Sequence, residues 1–258
     1  MITTVGVEPL GGGRKILVSE THRFGTDAFL LAHFAAPRSI DNAVDLGTGC
    51  GIIPTLWLGR QEVRTCIGIE LSQEACELAK ETIQLNGDGI RFDVINMDLR
   101  ELGKTTAGDR EKVAREKFDL VVCNPPYFTG NSGYTSPDPE RAKTRTEHTC
   151  TIADVCEAAR FLLRYGGRLC VCHRPERLPD VFCTMREYGI EPKRLRMVQQ
   201  RPEKAPWLVL VEGRRGGNPH LDILPPMIMK DEKGGDSPEL AALYGSYREG
   251  SRSWNNPE

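Results

Sequence analysis

The stretch NAVDLGTGCG, residues 42–51, decides the fold of this chain. Its first half is an apolar run that suits one buried strand, and its second half places a glycine at every other position, at Gly47, Gly49 and Gly51. A helical segment follows directly, at 52–60. Because glycine has no Cβ, such a turn bends sharply and approaches a ligand closely. Strand, glycine turn and helix together predict the ligand-binding corner of an α/β sheet.

The alternation of apolar strands and helices continues on both sides of this corner. Repeated β-α units predict a mostly parallel sheet with helices on both faces, and two late strands joined by a short loop predict an antiparallel hairpin at its end. The predicted strands are 42–47, 65–70, 91–98, 117–124, 168–173, 194–199 and 207–213, and the predicted helices are 27–36 capped by Asp27, 52–60, 73–86 capped by Ser72, 152–164 and 175–189.

The chain divides into one domain and a tail. Residues 1–212 are predicted to form the domain, whose first part, 1–40, covers substrate and cofactor. Residues 213–258 form a short C-terminal extension with a helix around 238–245.

Acidic side chains follow the next two strands. Glu70 stands 19 residues past Gly51 at a strand end, where a carboxylate accepts both hydroxyls of a ribose. The spacing G-x-G-x-G, rather than G-x-G-x-x-G, argues against a dinucleotide. Asp98, at the end of the third strand, either accepts from an adenine amine or caps a helix. We therefore expect an adenosine-containing cofactor at this edge.

A second motif, Asn124-Pro125-Pro126-Tyr127, follows the fourth strand. An adenine amine is a poor nucleophile because its lone pair is delocalised into the ring. The Asn124 side-chain oxygen and the Pro125 carbonyl are suited to accept its two N–H groups. Two prolines hold the backbone rigid without competing donors, and Tyr127 offers a face for base stacking. The motif predicts methylation of a planar amine.

Composition excludes several classes of protein. The 258 residues are 39% hydrophobic and 27% charged, which is typical of a globular chain and not of a disordered or membrane protein. We expect a cytoplasmic protein, because the sequence starts without a signal-peptide pattern and has no membrane-spanning run. The nine cysteines form no C-x-x-C pair and the five histidines lack metal-ligand spacing, so we expect reduced thiols and no metal.

The net charge of −2 conceals an uneven distribution. Residues 141–215 carry 16 basic and 9 acidic side chains, while the segments on either side are acidic. This block predicts a basic, phosphate-binding face for nucleic acid. Its candidate residues are Arg174, Arg177, Arg186, Lys193, Arg194, Arg196, Arg201 and Lys204.

DLGTGCG, Glu70 and NPPY together resemble class I S-adenosylmethionine-dependent methyltransferases, which have a Rossmann-like, seven-stranded sheet. The blocks RFGTDAFLLAHFA, CNPPYF, VCHRPERLPDV, EPKRLRMVQ and LVLVEGRRGG resemble the bacterial tRNA1(Val) adenine-37 N6-methyltransferase family. The resemblance covers about residues 20–245. It implies methyl transfer to an adenine amine of tRNA, with the base flipped out of its loop.

The resemblance also implies roles for individual residues. The cofactor is expected on Thr26, Asp27, Asp45, Gly47, Gly49, Gly51, Glu70, Asp98 and Asn124, and the target base on Asn124, Pro125, Pro126 and Tyr127. The family often carries Ala-Arg-His-Glu after this motif, whereas here the stretch is Thr144-Arg145-Thr146-Glu147. Substrate placement by Arg145 and Glu147, within the loop 128–150, is therefore left open.

Several alternatives stay open at this point. The NPPY motif also serves enzymes that methylate a release-factor glutamine, an rRNA base or DNA adenine. A nicotinamide-dependent oxidoreductase on a similar sheet and a non-catalytic cofactor-binding subunit are rivals from other classes. The oligomeric state and the particular tRNA are not predicted.

Overall fold

The computed structural model of the protein describes residues 5–104, 113–125, 150–245 and 247. In chain order the elements are β1 (Gly6–Gly11), β2 (Arg14–Val18), α1 (Thr26–Ala35), β3 (Asn42–Leu46), α2 (Ile52–Gly59), β4 (Thr65–Glu70), α3 (Gln73–Asn86), β5 (Phe92–Asn96), a 3-10 turn (Leu99–Lys104), β6 (Phe118–Cys123), α4 (Ile152–Leu162), β7 (Leu163–His173), a 3-10 turn (Pro175–Arg177), α5 (Leu178–Glu187), β8 (Ile190–Gln199), β9 (Leu208–Arg215), β10 (Asp222–Ile223), β11 (Met227–Ile228) and α6 (Pro238–Tyr244).

The main sheet has the strand order β10-β8-β9-β7-β6-β3-β4-β5, and β11 also pairs with β8. All its pairings are parallel except those of β9, which runs antiparallel to both β7 and β8. The predicted α/β fold with a C-terminal antiparallel hairpin is therefore confirmed. The seven longer strands make the predicted sheet, and two strands of two residues each extend its edge beyond β8.

The sheet is buried on both faces, which is why its strands are almost continuously apolar. Along β3, Ala43 belongs to one core cluster and Val44 to the other. The first cluster contains the buried faces of α1, α2, α3 and α6, and the second contains those of α4 and α5. Helices thus cover both faces, as predicted, and leave the strand ends open for function.

Of the two predicted helix caps, one is confirmed and one is wrong. Ser72 accepts a hydrogen bond from the Ala75 N–H at 3.3 Å and caps α3, as predicted. The predicted cap at Asp27 is wrong, because α1 begins at Thr26 with Gly25 as its N-cap. Asp27 lies in the first turn instead, where a negative charge also suits the helix dipole.

Both ends of the described chain pack onto the sheet's helices. The β1–β2 hairpin, absent from the sequence-based expectation, docks on α3 through a 3.0 Å hydrogen bond from the Leu17 N–H to the Thr82 hydroxyl. The predicted terminal helix is confirmed as α6, whose Tyr244 hydroxyl lies 2.6 Å from that of Thr26. The domain boundary at 212/213 and the covering role of residues 1–40 stay predictions. Within the described ranges, no helix is long and apolar enough to span a membrane.

Candidate active site

A cavity of about 280 Å³ opens at the carboxyl ends of β3, β4, β5 and β6. It lies where the strand order reverses, since β3 pairs with β4 on one side and β6 on the other. Ligands of open α/β sheets bind at this kind of switch point. The predicted site residues that the cavity brings together are Gly47, Glu70, Asp98, Asn124 and Pro125.

The three predicted glycines all have positive φ angles but occupy different surroundings. A Cβ added to Gly47 or Gly49 would meet no atom within 4 Å, so this part of the loop faces open space. A Cβ on Gly51 would lie 3.1 Å from the Phe92 ring. Gly47 and Gly49 therefore leave room for a ligand, whereas Gly51, the N-cap of α2, is required for packing.

Glu70 connects the glycine loop to the next helix. Its Oε2 accepts a hydrogen bond from the Gly49 N–H at 2.8 Å, and its Oε1 accepts one from the Ser72 N–H at 2.9 Å. Each carboxylate oxygen accepts more than one hydrogen bond. Glu70 is thus fixed in position at the cavity wall and retains acceptor capacity for the two hydroxyls of a ribose.

Asp45 lies behind the glycine loop and is fully buried. Its Oδ2 accepts a 2.8 Å hydrogen bond from the Thr48 hydroxyl. The pKa of Asp45 is raised to about 7, mainly by burial; the Thr48 hydrogen bond opposes this rise, and the negative charge of Glu70 contributes to it. Asp45 does not line the cavity among the described residues; it shapes the loop that does.

Asp98 shows one of the two roles between which the sequence did not decide, namely capping. Its Oδ1 accepts from the Arg100 N–H at 2.9 Å at the start of the 3-10 turn, which is capping geometry. Its Oδ2 pairs with the Arg100 guanidinium at 2.5 Å. Both side chains line the cavity. The capping role is therefore present, and contact with an adenine amine stays a prediction.

Asn124 follows the last residue of β6 and is half-buried. A residue before proline favours extended backbone, so Asn124 continues the line of the strand to the cavity. Its Oδ1 accepts a 3.0 Å hydrogen bond from the Cys172 thiol on the neighbouring strand β7. Pro125 is buried beside it and also lines the cavity. The two predicted acceptors thus lie on the same wall.

Sequence reasoning missed part of the cavity wall. Leu71, Met97 and Leu99 supply apolar surface, and two cysteines, Cys123 and Cys150, line it as well. Burial raises the pKa of the Cys150 thiol to about 11, so it is uncharged at neutral pH. A carboxylate, apolar walls and an open glycine loop fit an adenosine-containing group. Proximity to a strand's carboxyl end is the signal that would have found Leu71, Met97, Leu99 and Cys123, but not Cys150, which precedes a helix.

Other predicted site residues lie elsewhere. Thr26 and Asp27 are not among the described residues that line the cavity, and Thr26 is engaged with Tyr244 of α6. Pro126, Tyr127, Arg145 and Glu147 lie outside the described residues.

The predicted basic residues lie on several different elements. Arg174 follows β7, and Arg201 and Lys204 lie in the β8–β9 loop, so these three share the edge of the cavity. Four others form ion pairs of 2.6–2.8 Å with carboxylates: Arg177 with Asp180, Arg186 with Glu191, Arg194 with Glu212 and Arg196 with Glu239. A continuous RNA-binding face stays a prediction.

Comparison with known proteins agrees with this architecture. Residues 21–182 match the family model of the methyltransferase small domain. A tRNA1(Val) (adenine(37)-N6)-methyltransferase from Porphyromonas gingivalis is 30% identical over 86% of this chain and 86% of its own. One of the same name from Parabacteroides distasonis is 28% identical over 74% of this chain and 76% of its own.

A solved structure shares the fold. It is a predicted O-methyltransferase from Agrobacterium tumefaciens, which superposes with a TM-score of 0.65 at 22% identity and covers 86% of this chain and 96% of its own.

Proposed function

The chain belongs to the methyltransferase small domain family and, within it, to the tRNA1(Val) (adenine(37)-N6)-methyltransferases, and from this membership we propose that it methylates the N6 amine of an adenine in tRNA. The proposed target is adenine 37 of tRNA1(Val), as named for the relatives. The observation that carries the proposal is the shared cavity of Glu70 and Asn124. A tRNA substrate also fits the cytoplasmic location predicted from the sequence.

The proposed methyl donor is S-adenosylmethionine, which supplies an electrophilic methyl group on a positively charged sulfur and leaves as S-adenosylhomocysteine. Glu70 would accept the ribose hydroxyls, and Gly47 and Gly49 would leave space beside the backbone. Asp98 would accept from the adenine amine, and the apolar side chains of Leu71 and Leu99 line the same cavity. Thr26, Asp27, Asp45 and Gly51 remain proposed for this site on the family resemblance alone.

Asn124 and Pro125 would prepare the target amine. The Asn124 Oδ1 and the Pro125 carbonyl accept its two N–H groups, which turns the nitrogen lone pair out of conjugation with the ring and toward the methyl group. Catalysis then comes from position and acceptor alignment. The methylated nitrogen is strongly acidic and loses its proton to water, so no strong general base is needed. Tyr127 is proposed as the stacking platform for the flipped base.

The direct test uses tRNA from a strain that lacks the gene. The purified protein is incubated with this tRNA and a methyl-labelled donor, and the RNA is digested for nucleoside mass spectrometry. We expect label in N6-methyladenosine from one tRNA species. Label in a protein band, or in another nucleoside, would overturn the proposed substrate.

Asn124→Ala tests the acceptor role. We expect turnover to fall by at least a hundredfold, because one acceptor of the amine is lost, while calorimetry shows a much smaller loss of affinity for S-adenosylhomocysteine. The matched control is Asn218→Ala, an exposed asparagine in the loop after β9, at the opposite edge of the sheet. Near-normal turnover of Asn124→Ala would contradict the mechanism.

A further inference from the structure

A second cavity, of about 260 Å³, opens at the opposite edge of the sheet. Asp119, near the start of β6, lines it, and Asn124 lies five residues further on, roughly 16 Å along an extended strand. This arginine cavity is therefore separate from the candidate active site. Five arginines line it: Arg38, Arg164, Arg168, Arg194 and Arg214.

The arginine cavity carries more positive than negative charge. Four of its five guanidinium groups share three carboxylates: Asp41 pairs with Arg38 and Arg168, Glu212 with Arg168 and Arg194, and Asp119 with Arg164. Four of the five arginines belong to the basic block 141–215. A quarter of the 16 basic side chains of this block therefore lines one cavity, away from the site of methyl transfer, and Arg194 is the member that the sequence had also assigned to the phosphate-binding face.

Two of the arginines are held in position by hydrogen bonds to backbone carbonyls. Arg168 donates to the Ala35 carbonyl at 2.9 Å, and Arg194 donates to the Phe34 carbonyl at 2.7 Å. Both therefore satisfy carbonyl groups at the C-terminal end of α1. The Arg194 guanidinium also lies 4.6 Å above the Phe34 ring. Fixed guanidinium groups lose little conformational freedom when an anion binds.

Donors remain available for a ligand. The Arg194 Nε is buried and has no hydrogen-bond partner among the described residues. Arg214 donates from Nε to the Gly166 carbonyl at 3.0 Å. Its two terminal nitrogens donate to no other residue within the described ranges. A buried donor without a partner is costly, and an anion that hydrogen-bonds the Arg194 Nε would remove that cost.

We propose that the arginine cavity binds a phosphate group. Its donors come from α1's end, β7, β8 and β9, so they approach from several directions, which suits a tetrahedral anion better than a planar carboxylate. The phosphate belongs either to the RNA backbone or to a small phosphorylated molecule. Both sources present the same chemistry to the guanidinium groups.

The test measures binding of inorganic phosphate and pyrophosphate to the full chain by calorimetry. We expect saturable binding that weakens roughly tenfold in Arg214→Gln and in Arg164→Gln, because each removes a charged donor. Lys117→Gln is the matched control: it removes one exposed charge directly before β6, at the same edge of the sheet, and Lys117 is not among the described residues that line the arginine cavity. Unchanged affinity for S-adenosylhomocysteine verifies that each variant is folded.

A second arm identifies the source of the phosphate. If the RNA backbone supplies it, pyrophosphate competes with tRNA for binding. Arg214→Gln then lowers the slope of the logarithm of the tRNA binding constant against the logarithm of salt concentration by about one, because one phosphate contact is lost. If a small molecule supplies it, both variants bind tRNA normally but bind pyrophosphate more weakly than the wild type. Absence of phosphate binding by the wild-type protein, or full affinity in both arginine variants, overturns the proposal.

Discussion

Glu70 is the residue on which the cofactor site depends most. It lines the cavity and also fixes the Gly49 and Ser72 N–H groups. We predict that Glu70→Ala lowers affinity for S-adenosylhomocysteine roughly tenfold to a hundredfold, because a hydrogen bond to a charged group contributes about 1.5–3 kcal/mol. Calorimetry measures this affinity. Glu77→Ala, on the exposed face of α3, should bind normally, and unchanged affinity of Glu70→Ala would remove this residue from the site.

Asp45 makes the stability of the ligand-free protein depend on pH. Folding raises its pKa from 3.8 to about 7, so the folded state holds the proton more tightly than the unfolded chain. The protonated Asp45 therefore stabilises the folded state relative to the ionised form, and this stabilisation is fully present below about pH 4 and is lost as the pH rises to about 7.

Asp45→Asn has no such titration and keeps an acceptor for the Thr48 hydroxyl. We predict that it exceeds the wild type in free energy of unfolding at pH 8 by at most about 4 kcal/mol, which corresponds to moving a pKa from 3.8 to about 7. The difference should shrink toward pH 4. Urea unfolding at both pH values measures it, and equal differences at the two would show that Asp45 is not protonated in the folded state.

At the scale of elements, the junction of β3 and α2 requires glycine at position 51. Its φ is 86°, and an added Cβ would lie 3.1 Å from Phe92. We predict that Gly51→Ala lowers the free energy of unfolding by about 1–3 kcal/mol. Gly89→Ala is the control, since its Cβ would meet no atom within 4 Å and its φ is not positive. Equal urea midpoints for the two variants would contradict this account.

The main elements were predictable because strands buried on both faces leave unmistakable apolar runs. The run at 117–124 became β6 (Phe118–Cys123), and that at 65–70 became β4 with the same bounds. The β1–β2 hairpin was not predictable, since it packs on α3 rather than in the sheet and its strands alternate only weakly. The strands β10 and β11 have two residues each, which is too short for an alternation of apolar and polar residues to be recognised in the sequence.

The candidate site was predictable where residues directly follow strands. Gly47 and Asn124 directly follow strands, Glu70 ends one, and Asp98 lies two residues past another; parallel strands bring these carboxyl ends to one edge. Cys150 joins this cavity from the start of a distant helix, and Cys172 reaches Asn124 across a strand pair. Those contacts depend on tertiary packing, which no local pattern records.

At the scale of the whole molecule, the C-terminal segment is part of the packed structure. Leu240 of α6 is 1% exposed in the cluster shared with α1. We predict that Leu240→Ala lowers the free energy of unfolding by about 2–5 kcal/mol. The control, Leu85→Ala on α3, removes a side chain that is 48% exposed and should cost much less. Equal effects in chemical denaturation would mean that α6 contributes nothing to the domain.

The net charge of −2 conceals a difference between the charged side chains at the two edges of the sheet. Carboxylates such as Glu70 and Asp98 lie at the edge of methyl transfer, and five arginines line the cavity at the other edge. Because long-range electrostatics act over about 8–10 Å at physiological salt, the two edges attract different ligands. The total charge alone therefore says little about the partners of this protein.

The most direct test of the central claim compares two tRNA1(Val) transcripts that differ at one nucleotide. One carries adenine at position 37 and the other guanine, and methyl incorporation is measured under single-turnover conditions with the wild-type protein. The account predicts one N6-methyladenosine per adenine-bearing transcript and no methyl transfer to the guanine-bearing one. Equal methylation of the two transcripts would contradict it.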